Sequence, residues 1–237
     1  MLITNYKKRS CLTKRTLEIK IGSNKISQTT NEKLLGVFIN ENLSWNTHIN
    51  YLCEKLTKKL YLLKQLKVFM DIPTRVLFYN AYVFSSLMYC CCVWGLCPTN
   101  SIDRIFKFQK RCARAIFDKP FDHPHEELFS RLKWLEFHSY VRYRMSIMAY
   151  RSLHNLAPKY LTDLLEKRKP ADYNFRQTPL FKIPSYTTSI YEYIYSVQAA
   201  KVLNEVTRND VNIELKYSNF RDKAFNYFYY KENHTKN

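Results

Sequence analysis

Three groups of residues in this sequence have the types and spacing that chemistry requires: a cysteine cluster, a carboxylate cluster beside two histidines, and two rows of cations. The cysteines are Cys90, Cys91, Cys92 and Cys97. A structural zinc site usually joins a C-x2–4-C pair to a second pair of Cys or His. Three of these cysteines are consecutive on a predicted helix and therefore point in different directions. We interpret them as small buried hydrophobic residues and predict no metal site.

The carboxylate cluster precedes a predicted helix. It consists of Asp118, Asp122, Glu126 and Glu127, and it lies beside His123 and His125. Nucleases and polymerases use carboxylates to hold paired metal ions. Carboxylates also favour the N-termini of helices, and we interpret this cluster in that way. We find no glycine-rich phosphate loop and predict no catalytic residue.

The cations form the strongest of the three patterns, since seven of them make two rows, each on one side of a predicted helix. The rows are Lys55, Lys58 and Lys59, then Lys107, Lys110, Arg111 and Arg114. Such rows can follow a phosphate backbone, with an affinity that falls as salt rises. The chain has 38 Lys and Arg against 20 Asp and Glu, and 16% of it is aromatic. We therefore predict non-specific binding of RNA, DNA or their hybrid; ordinary solvated helix faces and codon bias are the alternatives.

The elements that carry these rows are predicted to be long helices, because only three glycines are present in 237 residues and tight turns are scarce. The fold class is mainly α, a helical bundle preceded by a short N-terminal β-hairpin. The hairpin strands are predicted at Leu17–Ile21 and Lys33–Ile39, and we expect the hairpin to pack on the first helix. Apolar residues three or four apart from Ile49 to Met70 predict that helix, with Ser44 as its N-cap.

A second helix is predicted to begin at Asp71 and Pro73, to be apolar nearly all round, and to end near Gly95. A third should follow from Ile102 to Phe117. Its predicted apolar face is Ile102, Ile105, Gln109, Cys112 and Ile116. Further helices are predicted at Glu126–Leu132, Ser139–Asn155, Pro158–Arg168, Tyr191–Val206 and Phe220–Tyr229, with an extended linker at 169–186.

Several features predict where the protein works. The longest apolar stretch, Ala81–Leu96, carries polar residues and is shorter than the ~18 residues of a membrane span, so we expect no membrane contact. The N-terminal residues lack the apolar core of a secretion signal. Seven cysteines without such a signal indicate a reducing compartment. We predict an intracellular protein, in the nucleus or the cytoplasm.

The stretch KLLGVFINENLSWNTHI, residues 33–49, resembles the "YLGV.ID..LSW..HI" segment of non-LTR (LINE-type, jockey-like) retrotransposon reverse transcriptases, where it joins the palm to the thumb. The matching positions include Leu35, Gly36, Ser44, Trp45 and His48, and Asn40 stands where the family usually has Asp. LMYCCCVWG at 87–95, with Trp94 and Gly95, is similar to the end of a thumb helix in that family. Residues 102–117, 131–165 and the C-terminal tail continue the likeness, although Leu203 replaces a usual Trp.

The resemblance implies the C-terminal part of an RNA-directed DNA polymerase. It implies an end-of-palm hairpin at 1–43, a thumb-like helical bundle at 44–118, a C-terminal helical region at 119–168, and a linker with terminal helices at 169–237. The family's active site is a Tyr/Phe-x-Asp-Asp turn with an earlier Asp, which bind two metal ions, Mg²⁺ in the intact enzyme. This sequence has no Asp-Asp pair. We therefore expect no cofactor, no activity of the chain alone, and the missing fingers and palm as partners, while the cation rows face a primer–template duplex. A retained helical protein-interaction module and a non-functional transposon remnant are the alternatives.

Overall fold

The structure is a computed structural model that describes residues 19–97, 99–168, 179–187 and 189–234. It is mainly helical and begins with short antiparallel strands, which confirms the predicted fold class. The strands are β1 (Ile19–Ile21), β2 (Asn24–Ile26), β3 (Asn31–Leu34) and β4 (Val37–Asn40). The helices are α1 (Asn46–Leu66), α2 (Ile72–Phe78), α3 (Ser85–Met88), α4 (Cys91–Trp94), α5 (Thr99–Phe117), α6 (His125–Leu132), α7 (Phe137–Leu153), α8 (Lys159–Thr162), α9 (Ser189–Glu192), α10 (Tyr195–Arg208) and α11 (Tyr217–His234). A 3-10 turn (Lys67–Phe69) follows α1, and a π-helical segment (Tyr79–Phe84) joins α2 to α3.

The strands form two separate hairpins rather than the single hairpin that the sequence predicts. β1 pairs with β2 and β3 pairs with β4. The predicted strand at 33–39 is interrupted because Leu35 and Gly36 adopt φ angles of 46° and 84°, the left-handed pair that a two-residue hairpin turn requires. The β1–β2 hairpin is exposed along its length. The β3–β4 hairpin packs on α1, where the rings of Phe38 and Tyr51 lie 5.1 Å apart between their centres.

Helices α1 and α5 form a pair in the first half of the molecule. Both helices were predicted, and the structure confirms them. They lie side by side and run in the same direction. Ser101 donates to Asn46 at 2.8 Å near the start of both helices, and Lys67 pairs with Asp118 beyond their ends. The whole predicted apolar face of α5 is buried: Ile102, Ile105, Gln109, Cys112 and Ile116. Gln109 is polar, yet it fits there because its amide donates to the carbonyl of Leu135 at 2.9 Å.

The segment from α2 to α4 differs from its prediction. Asp71 caps α2 as predicted, because its side chain accepts from a backbone N–H three residues later. The prediction of a single buried helix up to Gly95 is wrong. The chain breaks at Cys90, whose φ is 52°, and large side chains such as Leu77, Tyr82 and Val93 are more than half exposed. The segment therefore winds along the surface of α1 and is not the centre of the bundle.

The centre is α7, which is buried on two sides. Phe137 and Val141 belong to a first core formed with α1, the π-helical segment, α4 and α5. Met145, Tyr150 and their neighbours belong to a second core formed with α10 and α11. Because both faces of α7 are covered, it joins the two halves of the molecule. The boundaries at 43, 118 and 168 stay predictions.

The structure corrects several predictions for the C-terminal half. The helix predicted at 158–168 is confined to α8, and the helix predicted at 191–206 is divided into α9 and α10. The described part of the predicted linker is extended and is held in place at Phe181, whose side chain is fully buried. The backbone N–H of Phe181 donates to the side-chain oxygen of Asn204 at 2.8 Å, and the side-chain N–H of Asn204 donates to the Phe181 carbonyl at 2.9 Å. Residues 17, 18 and 169–178, which belong to the first predicted strand and to the linker, lie outside the described residues.

Gly95 sets the distance between α4 and α7. A Cβ atom there would lie 2.5 Å from the Cys91 carbonyl oxygen and 2.8 Å from Val141 Cγ2. Neither neighbour moves freely, since one is backbone and the other is packed in the first core. The close approach therefore requires glycine.

We predict that Gly95→Ala lowers the free energy of unfolding by about 1–3 kcal/mol, because the methyl group overpacks the contact with Val141. Chemical denaturation followed by circular dichroism would measure the change. The control is a double-mutant cycle with Val141→Ala, which shortens the side chain that the new methyl group would meet at 2.8 Å. Losses that simply add in the double variant would contradict the prediction.

Candidate nucleic-acid interface

The cations of α5 form one exposed face that covers the middle of the helix. Lys107 and Arg111 are exposed, and so is Arg104, which lies three residues before Lys107 on the same face. Arg104 to Arg111 spans about 10.5 Å along the helix axis. Among the described residues, no carboxylate lies within ion-pair distance of these three cations. We call Arg104, Lys107 and Arg111 the α5 face.

The other two predicted cations of α5 are engaged within the protein. The ammonium of Lys110 lies 4.6 Å from the centre of the Phe106 ring. Arg114 donates to the carbonyl of His123 at 2.9 Å and lies over the Phe121 ring. Both side chains stabilise the region around α6. The structure therefore divides the predicted row into two free and two structural cations.

The predicted row of α1 lies on the flank of that helix opposite α5, so the two rows do not form one surface. Lys59 donates to the backbone carbonyl of Tyr82 and, at 2.6 Å, to the hydroxyl of Ser86. Burial and the neighbouring charge of Lys55 lower the pKa of Lys59. Lys59 thus has a structural partner in the π-helical segment, whereas Lys55 and Lys58 are exposed.

Two cations that the sequence analysis did not select lie on the α5 side. Arg104 donates to Asn50 of α1 at 2.6 Å. Lys64 of α1 lies close enough to Cys112 that its charge, with that of Arg111, opposes the rise that burial causes in the pKa of the Cys112 thiol. Periodicity identifies Arg104, which precedes Lys107 by three residues. Nothing in the sequence identifies Lys64, because its place depends on the packing of α1 on α5.

The carboxylate cluster is dispersed. Glu126 and Glu127 occupy the first turn of α6, which confirms the helix-start interpretation for these two. Asp118 instead pairs with Lys67, whose hydrogen bond and charge lower the pKa of the Asp118 carboxyl. His125 lies between Glu126 at 3.2 Å and Glu136 at 3.6 Å. Within the described ranges, no group of three His, Cys, Asp or Glu side chains has the geometry to hold a metal ion.

The cysteine cluster lies partly in the core. Cys91 and Cys97 are buried, and Cys90 and Cys92 are half-buried. Burial raises the pKa of Cys97 to about 11, so its thiol is protonated near neutral pH. Small buried hydrophobic roles are thus confirmed for Cys91 and Cys97 only.

The residues that carry the family resemblance meet in space around Trp94. Trp94 is fully buried, and its indole N–H donates to the carbonyl of Tyr89 at 2.9 Å. The Tyr89 hydroxyl donates to the carbonyl of Leu35 in the β3–β4 turn at 2.6 Å. On its other side, Trp94 stacks on Phe137 of α7, with 5.5 Å between ring centres. The motifs therefore join the hairpin, α4 and α7.

His48 belongs to the same contact network and is buried. Its ring centre lies 5.3 Å from that of Trp94, and its Nδ1 accepts from the backbone N–H of Phe38 at 3.4 Å. Burial lowers the pKa of His48. The arrangement makes His48 a neutral packing residue that joins β4 to α1.

The predicted N-cap of α1 is wrong. Ser44 makes no capping bond, and Trp45 occupies the N-cap position. Ser44 instead donates its backbone N–H to the Asn40 side-chain carbonyl at 2.8 Å, and its hydroxyl accepts from the Asn40 amide at 2.6 Å. An ionised Asp at this position would accept both bonds, because the Ser44 hydroxyl can donate as well as accept.

Comparisons of the chain with protein-family models, with curated proteins and with solved structures return no match. None of the described helices is long and apolar enough to cross a membrane.

We predict that the free energy of unfolding falls as the pH decreases through about 6.5, the ordinary pKa of histidine. Because His48 has a lowered pKa in the folded protein, the unfolded chain binds more protons in this range. His48→Asn should flatten that part of the profile while retaining an acceptor for Phe38 N–H. Urea unfolding at about pH 7.5 and about pH 5.5 would measure it. His138→Asn is the control, since His138 is half-exposed beside Asp103; a profile unchanged by His48→Asn would contradict the prediction.

Proposed function

We propose that this chain is the thumb-containing C-terminal part of a non-LTR retrotransposon reverse transcriptase, and that it binds the backbone of RNA, DNA or their hybrid through the α5 face. The order of the sequence motifs supports the family. Their meeting at Trp94 supports it further, because motifs that are 50 residues apart in sequence form one contact network. A hairpin that leads directly into a basic helical bundle is the arrangement that the resemblance implies.

The observation that carries the proposal is the α5 face itself. Its three cations are exposed, lie on one side of one helix, and pair with no described carboxylate. Lys107 and Arg111 make no hydrogen bond or ion pair to a described residue, so each binds a phosphate without first losing a partner. Arg104 also donates to Asn50. The net charge of +18 adds a long-range attraction for polyanions.

The mode of binding follows from the geometry. The side chains of Arg104, Lys107 and Arg111 extend from α5, and another side of this helix is covered by α1. Only the exposed side of α5 can therefore contact a duplex. Contacts from one face reach phosphates and give little discrimination between bases. We expect an affinity that is salt-dependent and independent of sequence.

Polymerisation itself is not assigned to this chain. The family reaction requires Mg²⁺ held by an Asp-Asp turn, and the sequence has no such pair. The described carboxylates do not converge into a group that fits the ion, so we derive no metal-dependent step here. The missing fingers and palm are the partners that the proposal implies.

We predict that the double variant Lys107→Ala and Arg111→Ala weakens binding of a single-stranded or hybrid oligonucleotide. Loss of two phosphate contacts should reduce the slope of log affinity against log salt by about 1.4–1.8. Fluorescence anisotropy between about 50 and about 300 mM salt would measure both quantities. Alanine is a strong helix former, so α5 should stay folded.

The matched control is Lys55→Ala with Lys58→Ala, which removes the same charge from the opposite flank of α1. This control should lower the affinity only through net charge. Equal losses of affinity and slope in the two double variants would reject the α5 face as the binding surface, because only net charge would then matter.

A specific observation also favours the second candidate, a protein-interaction module. Val68, Phe69 and Phe121 are 78%, 86% and 81% exposed. They lie at the end of the bundle where Arg75 joins the 3-10 turn to α5, by donating to the carbonyls of Lys67 and Ile116 at 2.7 Å each. Exposed apolar groups of this kind mark contact surfaces.

We predict that Val68→Ser with Phe69→Ser leaves the nucleic-acid affinity unchanged and reduces concentration-dependent association of the protein. Sedimentation velocity would measure association, and the same anisotropy assay would measure affinity. A fall in nucleic-acid affinity would instead assign these side chains to the nucleic-acid surface, as residues that stack on bases.

A further inference from the structure

A cavity of about 720 Å³ lies where the two halves of the molecule meet. Its walls come from the loop before α1, from α4, from the start of α5, from α7, and from the link between α9 and α10. The volume is within the ~300–1,000 Å³ range of small-molecule sites. None of the seven cations of the two predicted rows lines this space, whereas Ser44 and Trp45 of the family motif do.

The chemistry of the lining is unusual for this chain. None of the described residues that line the cavity is Asp, Glu, Lys, Arg or His, although 24% of the chain is charged. The walls combine apolar and aromatic side chains, with Trp45, Tyr193 and Met148 among them, and uncharged Asn and Ser residues. The Cys97 thiol is protonated, since burial raises its pKa to about 11. The cavity therefore selects an uncharged group, because a buried charge would have no counter-charge.

Polar groups at the edge of the cavity are free to bind such a group. Neither the indole N–H of Trp45 nor the amide of Asn100 makes a hydrogen bond to any described residue. The Ser44 hydroxyl accepts from Asn40 and keeps its own proton to donate. Aromatic walls with a few donors and acceptors are the environment in which proteins hold unstacked nucleobases.

The position of the cavity relative to the α5 face decides between a general apolar site and a nucleobase site. Asn100 lies four residues before Arg104, so both share one side of α5 and are about 6 Å apart along the helix axis. Lys107 and Arg111 continue on that side. The α5 face thus leads along the helix to the mouth of the cavity.

We propose that the cavity receives the base of a single-stranded RNA or DNA segment whose phosphates lie on the α5 face. A terminal or unpaired base is uncharged, planar and able to stack, so it matches the lining, whereas its phosphate matches the adjoining cations. This inference rests on the proposed function, since it requires the α5 face to bind the backbone. It adds a preference for unpaired ends over blunt duplexes that phosphate contacts alone do not give.

The test uses the full chain and a filled cavity. Val93 lines the cavity and is half-exposed, so Val93→Trp should occupy part of the space without disturbing a core. Urea unfolding would verify that the variant is folded, and Asn100→Leu, at another exposed position of the rim, serves if it is not. The probes are free adenosine and uridine, a single-stranded 12-mer, and a blunt 12-base-pair duplex.

Filling the cavity should weaken single-strand binding by about tenfold and leave duplex binding unchanged. Free nucleosides should bind the native protein with an affinity independent of salt, and Lys107→Ala with Arg111→Ala should not change that affinity. Calorimetry and anisotropy would supply these values.

Two outcomes would overturn the inference. In one, neither filled variant changes single-strand affinity; the α5 double variant then shows separately whether the proposed function stands. In the other, nucleosides bind but the filled variants do not affect the oligonucleotide, and the cavity is a site for free small molecules.

Discussion

The structure depends most on the burial of one indole ring, that of Trp94. A buried indole N–H must find an acceptor, and the acceptor is the carbonyl of Tyr89 in the same turn. This bond requires the chain to bend between α3 and α4, and the bend directs Tyr89 toward the β3–β4 turn. Phe137 stacks on the ring, and His48 contacts it at an angle of 59° between the ring planes. One side chain thereby fixes the hairpin, α1 and α7 relative to each other.

The cations divide into those that the fold uses and those that it leaves exposed. Lys59, Arg75 and Arg114 donate to backbone carbonyls in the π-helical segment, at the end of α5 and in the loop before α6. Lys107 and Arg111 have no such role. A chain with an excess of positive charge thus contains both stabilising and available cations, and only the local contacts distinguish them.

The sequence predicted those features that periodicity determines. The stripes of α1 and α5 and the cap of α2 follow from spacing, and each is present. The features that it missed depend on tertiary contacts. The left-handed turn at Leu35 and Gly36 divides an apparently continuous strand, and Cys90 breaks an apparently continuous helix because Trp94 must be buried. The α1 and α5 rows were predicted correctly as helix faces, but their separation on opposite flanks depends on how the helices pack.

The side-by-side, same-direction packing of α1 and α5 has a consequence for how the protein acquires its structure. The bond from Ser101 to Asn46 joins residues 55 positions apart, and two adjacent helices of the same direction require the whole intervening segment to cross back before they meet. Loop closure over that distance costs entropy before any contact offsets it, and distant contacts slow folding. During synthesis, the side of α1 that packs on α5 stays exposed until α5 has emerged, although the segment from α2 to α4 covers another side earlier. Apolar surface that is exposed in this interval favours aggregation of the unfinished chain.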